Sequence, residues 1–370
     1  MAIKVAGRPH YDMDGVLKEI VQPDVKVVVY FFSVEFERHQ PQLAVKRAFP
    51  RAVCIGASMY GGWCATGVVD KGIIAMSLGA EEVEETFVAY EEGVKAAPVK
   101  CTRTAIESLK QKLGYRNINP DDYLGIVLLD GLCRGEVIMQ ELSLDPRMNL
   151  PFVGGAAGEE MTFVKTLISM DEKISSDGLV LLIMKMRIPF YYNHYVHFTP
   201  GTKCIEATRV DAPQRIVWEI NGEPAAPFYA KLVNVGRIDQ LETSIFARNP
   251  LGVVSGNRCY CRSIHGVVDG KGLRFFCYIE AGTTLYLLNG GDIIANSRKA
   301  LQDAQDHLPA VQGALFFNCV FRHMELKALH KVEEFNGIFK SLDFIGFTCY
   351  GEELFTHHNQ TLTTIFFGRP

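Results

Sequence analysis

Val25-Lys-Val-Val-Val-Tyr-Phe-Phe32 is an apolar run broken by a single lysine, the pattern of a strand that is buried on both faces of a sheet. A helical stretch at about 40–49 follows it, and a second short strand, Ala52-Val-Cys-Ile55, ends at Gly56. A buried strand, a helix and another strand in this order predict a parallel βαβ unit.

Two further stretches follow the same plan. In the second, the strand Tyr123–Leu129 is followed by a helical stretch at 134–142, a strand at 150–153 and Gly154. In the third, the strand at 313–317 is followed by a helical stretch at 327–340, a strand at 343–345 and Gly346. The separation from Phe32 to Gly56 equals that from Asp130 to Gly154, and the third copy is about one helical turn longer. The sequence therefore predicts three related βαβ units.

A glycine-rich loop and a further strand follow each unit. The loops are Gly56-Ala-Ser-Met-Tyr-Gly-Gly62, Gly154-Gly-Ala-Ala-Gly-Glu159 and Gly346-Phe-Thr-Cys-Tyr-Gly-Glu352, and the predicted strands are 72–78, 178–186 and 361–367. The second loop has the composition of a phosphate-binding loop, but that chemistry requires a helix directly after the loop. Residues 161–168 have strand character instead, so we interpret the glycines as tight turns between strands.

The length of 370 residues is enough for about two domains. The pattern becomes irregular between 193 and 221, so we predict a boundary near 210–222, with domains of 1–215 and 216–370. Alternating residues between 249 and 288 predict antiparallel hairpins. The expected fold is α/β, with two domains of mixed sheets built from repeated βαβ units and with antiparallel hairpins in the carboxy-terminal half.

Charge and hydropathy exclude several classes of protein. The chain has 38 Lys and Arg against 42 Asp and Glu, without a basic run, so nucleic acid is not an expected partner. The longest apolar stretch, 178–192, is interrupted by Lys185 and Arg187, and no membrane span is predicted. The amino terminus lacks the apolar core of a signal peptide, so we expect a cytoplasmic protein whose ten cysteines are mostly reduced.

No catalytic motif is present in the sequence, which favours a protein without catalytic residues. The histidines with ligand potential are His194, His197, His265, His357 and His358, but no carboxylate spacing completes a metal site, and none is predicted. Asp130, Glu159 and Glu352 lie in or beside the glycine loops, where each can receive an ammonium group or serve as a turn or ion-pair residue.

Five motifs in order carry a family resemblance. They are Phe152-Val-Gly-Gly-Ala-Ala-Gly-Glu159, Asn249-Pro-Leu-Gly252, Tyr260-Cys-Arg-Ser263, Gly313-Ala-Leu-Phe-Phe-Asn-Cys319 with Arg322, and Gly346-Phe-Thr-Cys-Tyr-Gly-Glu352 with Asn359. From about Val25 to Phe367 the chain resembles the FIST sensory domain, amino- and carboxy-terminal halves in order. In the first glycine loop it departs from the family pattern, with Ala57 in place of a cysteine and Gly61-Gly-Trp63 in place of Gly-Glu.

The resemblance implies an intracellular input module of bacterial signal transduction that binds a small ligand such as an amino acid. Family members are often fused to kinase or cyclase outputs, so we expect a separate signalling protein, such as a histidine kinase or a cyclase, as the partner of this chain. No cofactor is expected in that reading. The alternatives are a haem-based nitric oxide sensor with His197 or His265 as axial ligand, and an enzyme that uses Cys319 or Cys349 as a nucleophile on a small acid.

The predicted ligand site lies in the carboxy-terminal half, near strand ends and the third glycine loop. Its residues are Arg322, Arg262, Glu352, Tyr350, Cys319 and Asn359. An arginine there can hold a carboxylate through two parallel hydrogen bonds, with Glu352 on the ammonium group and Tyr350 and Cys319 around the side chain. Arg322 is favoured over Arg262 because it follows a fully apolar strand, although an ion pair within the protein is an equally good reading of either arginine.

Overall fold

The computed structural model describes residues 3–114, 116, 118–256 and 258–369. Their packing divides the chain into two compact units. The first contains the described residues of Met1–Tyr195, Ser297–His357 and Leu362–Pro370, and the second contains those of Val196–Asn296 and His358–Thr361. None of the described helices has the length and apolar composition needed to cross a membrane.

The first unit begins with two copies of one chain path. The first copy is β1 (Lys4–Arg8), α1 (Met13–Glu19), β2 (Val25–Phe32), α2 (Pro41–Ala48), β3 (Val53–Ser58), β4 (Gly62–Cys64), β5 (Gly67–Val69) and β6 (Ile73–Gly79). The second copy is β7 (Val83–Glu92), α3 (Pro98–Leu113), β8 (Tyr123–Leu129), α4 (Gly135–Leu144), β9 (Phe152–Ala156), β10 (Ile168–Met170), β11 (Lys173–Ser175) and β12 (Gly178–Met186).

A third copy starts with β13 (Phe190–Tyr195), and the second unit is inserted directly after that strand. The inserted elements are β14 (Phe198–Asp211), β15 (Ile216–Ile220), β16 (Glu223–Pro224), α5 (Ala225–Leu232), α6 (Thr243–Arg248), β17 (Leu251–Ser255), β18 (Arg258–Arg262), β19 (Ile264–Val268), β20 (Gly272–Phe275) and β21 (Thr284–Gly290). These strands pair antiparallel in the order β18-β17-β21-β14-β15-β20-β19, with β16 on β15. The predicted hairpins between 249 and 288 are therefore confirmed.

The third copy then resumes with the same path as the first two. Its elements are α7 (Ile293–His307), β22 (Val311–Cys319), α8 (Val320–Ala328), α9 (Val332–Ile338), β23 (Asp343–Cys349), β24 (Gly351–Leu354), β25 (Thr356–His358) and β26 (Leu362–Gly368). The domain division predicted at 215 and 216 falls inside the second unit, between β14 and β15, which pair with each other.

Three equivalent mixed sheets result, in the orders β1-β6-β2-β3-β10-β11, β7-β12-β8-β9-β24-β25 and β13-β26-β22-β23-β4-β5. The pairs β2/β3, β8/β9 and β22/β23 are parallel, and each of these strands lies inside its sheet. The three predicted βαβ units and the α/β fold class are thus confirmed.

Each sheet ends in a hairpin that belongs to a different copy. The first copy gives β4–β5 to the third sheet, the third gives β24–β25 to the second, and the second gives β10–β11 to the first. Three equivalent backbone hydrogen bonds between glycine loops close this cycle. From amide to carbonyl they are Tyr60 to Thr348 (3.2 Å), Tyr350 to Ala156 (3.0 Å) and Gly158 to Ser58 (2.9 Å).

Two sequence predictions need correction. The third helical stretch was expected at 327–340, but α8 already starts directly after Cys319, and the helix is interrupted before α9. Strand character was expected from 161, but β10 begins only at Ile168. The Glu159 carboxylate accepts hydrogen bonds from the amides of Thr162 and Phe163. Met161 and Phe163 also have positive φ (63° and 55°), so this backbone cannot pair as a strand.

Candidate functional site

The carboxyl ends of β22 and β23 carry most of the predicted ligand site. Cys319 and Cys349 are paired neighbours on these strands, and Arg322 follows in the first turn of α8. Arg322 and Glu352 are both completely buried, and the Cys349 thiol lies 3.4 Å from Glu352 Oε1. A guanidinium and a carboxylate are therefore both buried in the segments that follow these two strands.

Burial lowers the pKa of Arg322 to about 10, while the negative charges of Glu325 and Glu352 act in the opposite direction. Its Nη2 donates a hydrogen bond of 2.6 Å to Ser297 Oγ on α7. Arg322 remains a cation at neutral pH in this environment. A buried cation is costly unless opposite charge and hydrogen bonds compensate it, so the acidic neighbours stabilise it here.

Burial shifts the pKa of Cys349 upward, whereas it shifts that of Arg322 downward. Burial raises the pKa of this thiol well above its usual value, and the negative field of Glu352 raises it further. The group is a neutral thiol at physiological pH, and a thiol is a far weaker nucleophile than a thiolate. This environment therefore disfavours Cys349 as the nucleophile of an enzyme.

Tyr350 is engaged away from this edge. Its hydroxyl donates to the Glu159 carboxylate and to the Glu159 carbonyl at 3.1 Å, and it accepts a bond of 3.0 Å from the Met161 amide. Burial opposes ionisation of Glu159, but hydrogen bonds from Thr162, Tyr350 and Phe163 outweigh it and lower the pKa of this carboxyl. The second and third glycine loops are joined by this buried tyrosine and carboxylate.

Asp130 occupies the end of β8, completely buried. It accepts bonds of 2.8 Å from the Leu132 amide and the Thr166 hydroxyl, and the Lys95 ammonium lies 3.4 Å from Oδ1. Burial raises the pKa of Asp130 despite these contacts. Its partners identify it as a strand-end residue that holds the adjoining turn in place.

Sequence reasoning missed two buried polar features of the third copy. Glu353 Oε1 lies 2.7 Å from His357 Nδ1, a pair whose only sequence signal is an acid four residues before a histidine. His323 on α8 is completely buried, and neither ring nitrogen has a hydrogen-bond partner among the described residues. It packs edge-on against Trp63, at 5.0 Å between ring centres.

The remaining predicted residues belong to the second unit. Arg262 Nη1 donates to the Cys261 carbonyl at 3.2 Å, and Asn359 Nδ2 donates to the His358 carbonyl at 3.0 Å. Of the proposed haem ligands, His197 is buried against Phe198 and His265 is exposed. In the described part of the chain, no three His, Cys, Asp or Glu side chains gather as a metal site.

Three cavities lie on the first unit, around α3, α4 and the turn that follows α4. None of these three is lined by the predicted ligand residues. Arg322, Glu352 and Cys319 are thus all buried near the carboxyl ends of β22 and β23, and the charge of Glu352 acts on Arg322. Tyr350 bonds to Glu159, and Arg262 and Asn359 belong to the second unit.

No curated protein matches the chain. A crystal structure of a chorismatase matches over 99% of both chains, with 9% identity and a TM-score of 0.35, a likeness too distant to indicate fold or activity.

Two family descriptions match the sequence directly and in order. The FIST N domain matches residues 26–223, and the FIST C domain matches residues 225–354. FIST domains are sensory domains of signal transduction. With both halves present over most of its length, the chain belongs to the FIST family.

Proposed function

We propose that this chain is a non-catalytic, cytoplasmic sensor of bacterial signal transduction whose ligand is an amino acid or a similar small metabolite. Membership of the FIST family supports the sensory role. The observation that carries the ligand class is the pair of opposite charges, Arg322 and Glu352, buried together at the carboxyl ends of parallel strands. Crevices beyond such strand ends are where open α/β sheets bind ligands.

The chemistry matches the two charged ends of an amino acid. The guanidinium of Arg322 receives the carboxylate through two parallel hydrogen bonds, Glu352 receives the ammonium group, and Cys319 lies beside the side chain. Because both charged residues are buried, ligand entry requires the third glycine loop, which contains Tyr350, to move. That displacement is the change that a separate histidine kinase or cyclase would read.

Isothermal titration with the common amino acids tests the ligand class on the full chain. Arg322→Ala should weaken binding more than tenfold, since losing one partner of a buried charged contact costs about 2 to 5 kcal/mol. Because Arg322 is buried, Glu352→Gln is the second variant, which keeps the shape and removes the charge. Arg298→Ala, at an exposed ion pair with Glu334, is the control that should bind normally.

Absence of heat with every amino acid, from folded protein, would remove this ligand class. Normal binding by a folded Glu352→Gln variant would remove this placement of the site. Arg262 and Asn359 stay predicted contributors, and their alanine variants belong in the same titration.

A further inference from the structure

The largest of the three cavities, about 870 Å³, runs along α3 in the first unit. One end is an apolar wall formed by residues 96–99, and the lining continues past Lys100 and Thr104 to Gln111. At about 1.5 Å per helical residue, Lys100 and Gln111 are separated by roughly 16 Å along the helix axis. The cavity is elongated and has the size of a small-molecule site.

The charges in this cavity are unevenly distributed. Lys100 and Arg134 line it, and neither the ammonium nor the guanidinium has a hydrogen-bond or ion-pair partner among the described residues. Arg103 is neutralised by Glu141, with contacts of 2.7 and 3.3 Å. Glu107 lies two helical turns along α3 from Lys100, which makes the Lys100 end the positive one.

The positive end also has the position that the topology favours for a ligand. β7 and β8 are both antiparallel to β12 and hence parallel to each other. Residues 96–100 and Arg134 follow the carboxyl ends of β7 and β8, where α3 and α4 begin. The apolar wall and the two unneutralised cations are therefore placed where open α/β sheets bind ligands.

We propose that this α3 groove binds an elongated organic anion, with its oxyanion head between Lys100 and Arg134 and its apolar body against residues 96–99. Phosphate and carboxylate share the chemistry that these two cations recognise. The two cations lie at the same end of the groove, so the preferred ligand carries its negative charge at that end. The groove is separate from the cluster at Arg322 and does not depend on the ligand proposed there.

Fluorescence titration of the full chain with 1-naphthyl phosphate and with 1-naphthoate tests the groove and distinguishes the two oxyanions. We expect at least one of them to bind, 1-naphthol and inorganic phosphate each to bind more weakly than it, and added salt to weaken its binding. The double variant Lys100→Glu/Arg134→Glu should lose at least tenfold in affinity. The double variant Lys18→Glu/Lys340→Glu, at two exposed lysines that do not line the groove, is the matched charge-reversal control.

The proposal is overturned if neither naphthyl anion binds to folded protein, if 1-naphthol binds as well as they do, or if the double variant binds them as the wild type does. An equal loss in Lys18→Glu/Lys340→Glu, which changes the net charge by the same amount, would also overturn it, since binding would then follow net charge. Because neither Arg322 nor Glu352 lines the groove, the outcome of the amino-acid titration does not decide this one.

Discussion

His323 is a buried residue whose charge state depends on its surroundings. Burial lowers its pKa to about 4, with Lys327 acting in the same direction and Asp70, 3.9 Å from Nε2, acting against it. Trp63 and Tyr60 surround the ring with aromatic faces. The folded chain therefore holds a neutral imidazole at neutral pH, packed from α8 against Tyr60 of the first glycine loop and against Trp63.

This residue makes acid stability testable. An unfolded histidine has a pKa near 6.5, so His323 takes up a proton below about that pH in the unfolded chain. In the folded chain it takes up the proton only below about pH 4. The stabilisation is complete above about pH 6.5 and falls as pH drops, by at most about 1.4 kcal/mol per pH unit. Urea unfolding of wild type and His323→Phe between pH 4.5 and 7.5 should show that the wild type loses more stability toward acid. Parallel pH profiles for the two proteins would contradict this.

At the scale of elements, the parallel pair β8/β9 depends on a glycine. A Cβ on Gly154 would lie 1.7 Å from the Val127 carbonyl oxygen, a backbone atom that cannot move without breaking the pairing. The repeated glycine at the end of the second βαβ unit thus permits the close approach of two backbones. It lies inside β9 without a positive φ and is not the tight turn that the sequence predicts.

Gly154→Ala should therefore reduce the free energy of unfolding by about 3 kcal/mol. Gly337 in α9 is the matched control, because its Cβ would meet nothing within 4 Å. Gly337→Ala should raise the free energy of unfolding by roughly 0.5 to 1 kcal/mol, since alanine loses less backbone entropy in a helix. Denaturant titration compares the two variants, and an equal effect of both would show that steric contact at Gly154 is unimportant.

At the scale of the whole molecule, the second unit is an insertion into the third copy. The two ends of residues 196–296 are close together, because Asn296 Nδ2 donates a hydrogen bond of 3.0 Å to the Val196 carbonyl. The three mixed sheets and their exchanged hairpins are completed without any strand from this segment. The described strands of all three mixed sheets therefore lie outside residues 196–296.

A chain with residues 196–296 replaced by a short glycine-serine linker should fold. Circular dichroism and a single cooperative unfolding transition are the measurements. The comparison is deletion of 83–186, of similar length, which removes one whole copy and leaves β24 without β9 and β3 without β10. The architecture would be contradicted if the first deletion unfolded the protein and the second did not.

The sequence by itself determined the three βαβ units, the hairpins between 249 and 288, and the family. These follow from local patterns, because an apolar run such as 25–32 needs burial on both faces wherever its partners come from. The same patterns located Arg322, Glu352 and Cys319 near strand ends. Each of these inferences needed only residues that are neighbours along the chain.

Only the tertiary structure decided which strands pair across copies, where the second unit is inserted, and how the polar side chains are partnered. The pattern of apolar residues predicts that a strand is buried, but it does not predict which strand pairs with it. The hydrogen bonds that join β4 to β23 are made by backbone groups, which do not differ with the sequence. The sequence predicts Tyr350 in the ligand site, but its hydroxyl bonds to Glu159, 191 positions away. A contact between residues so far apart cannot be predicted from the spacing of motifs along the chain. Burial of charge is likewise a property of the packed molecule, so the enclosure of Arg322 with Glu352 was beyond the sequence alone.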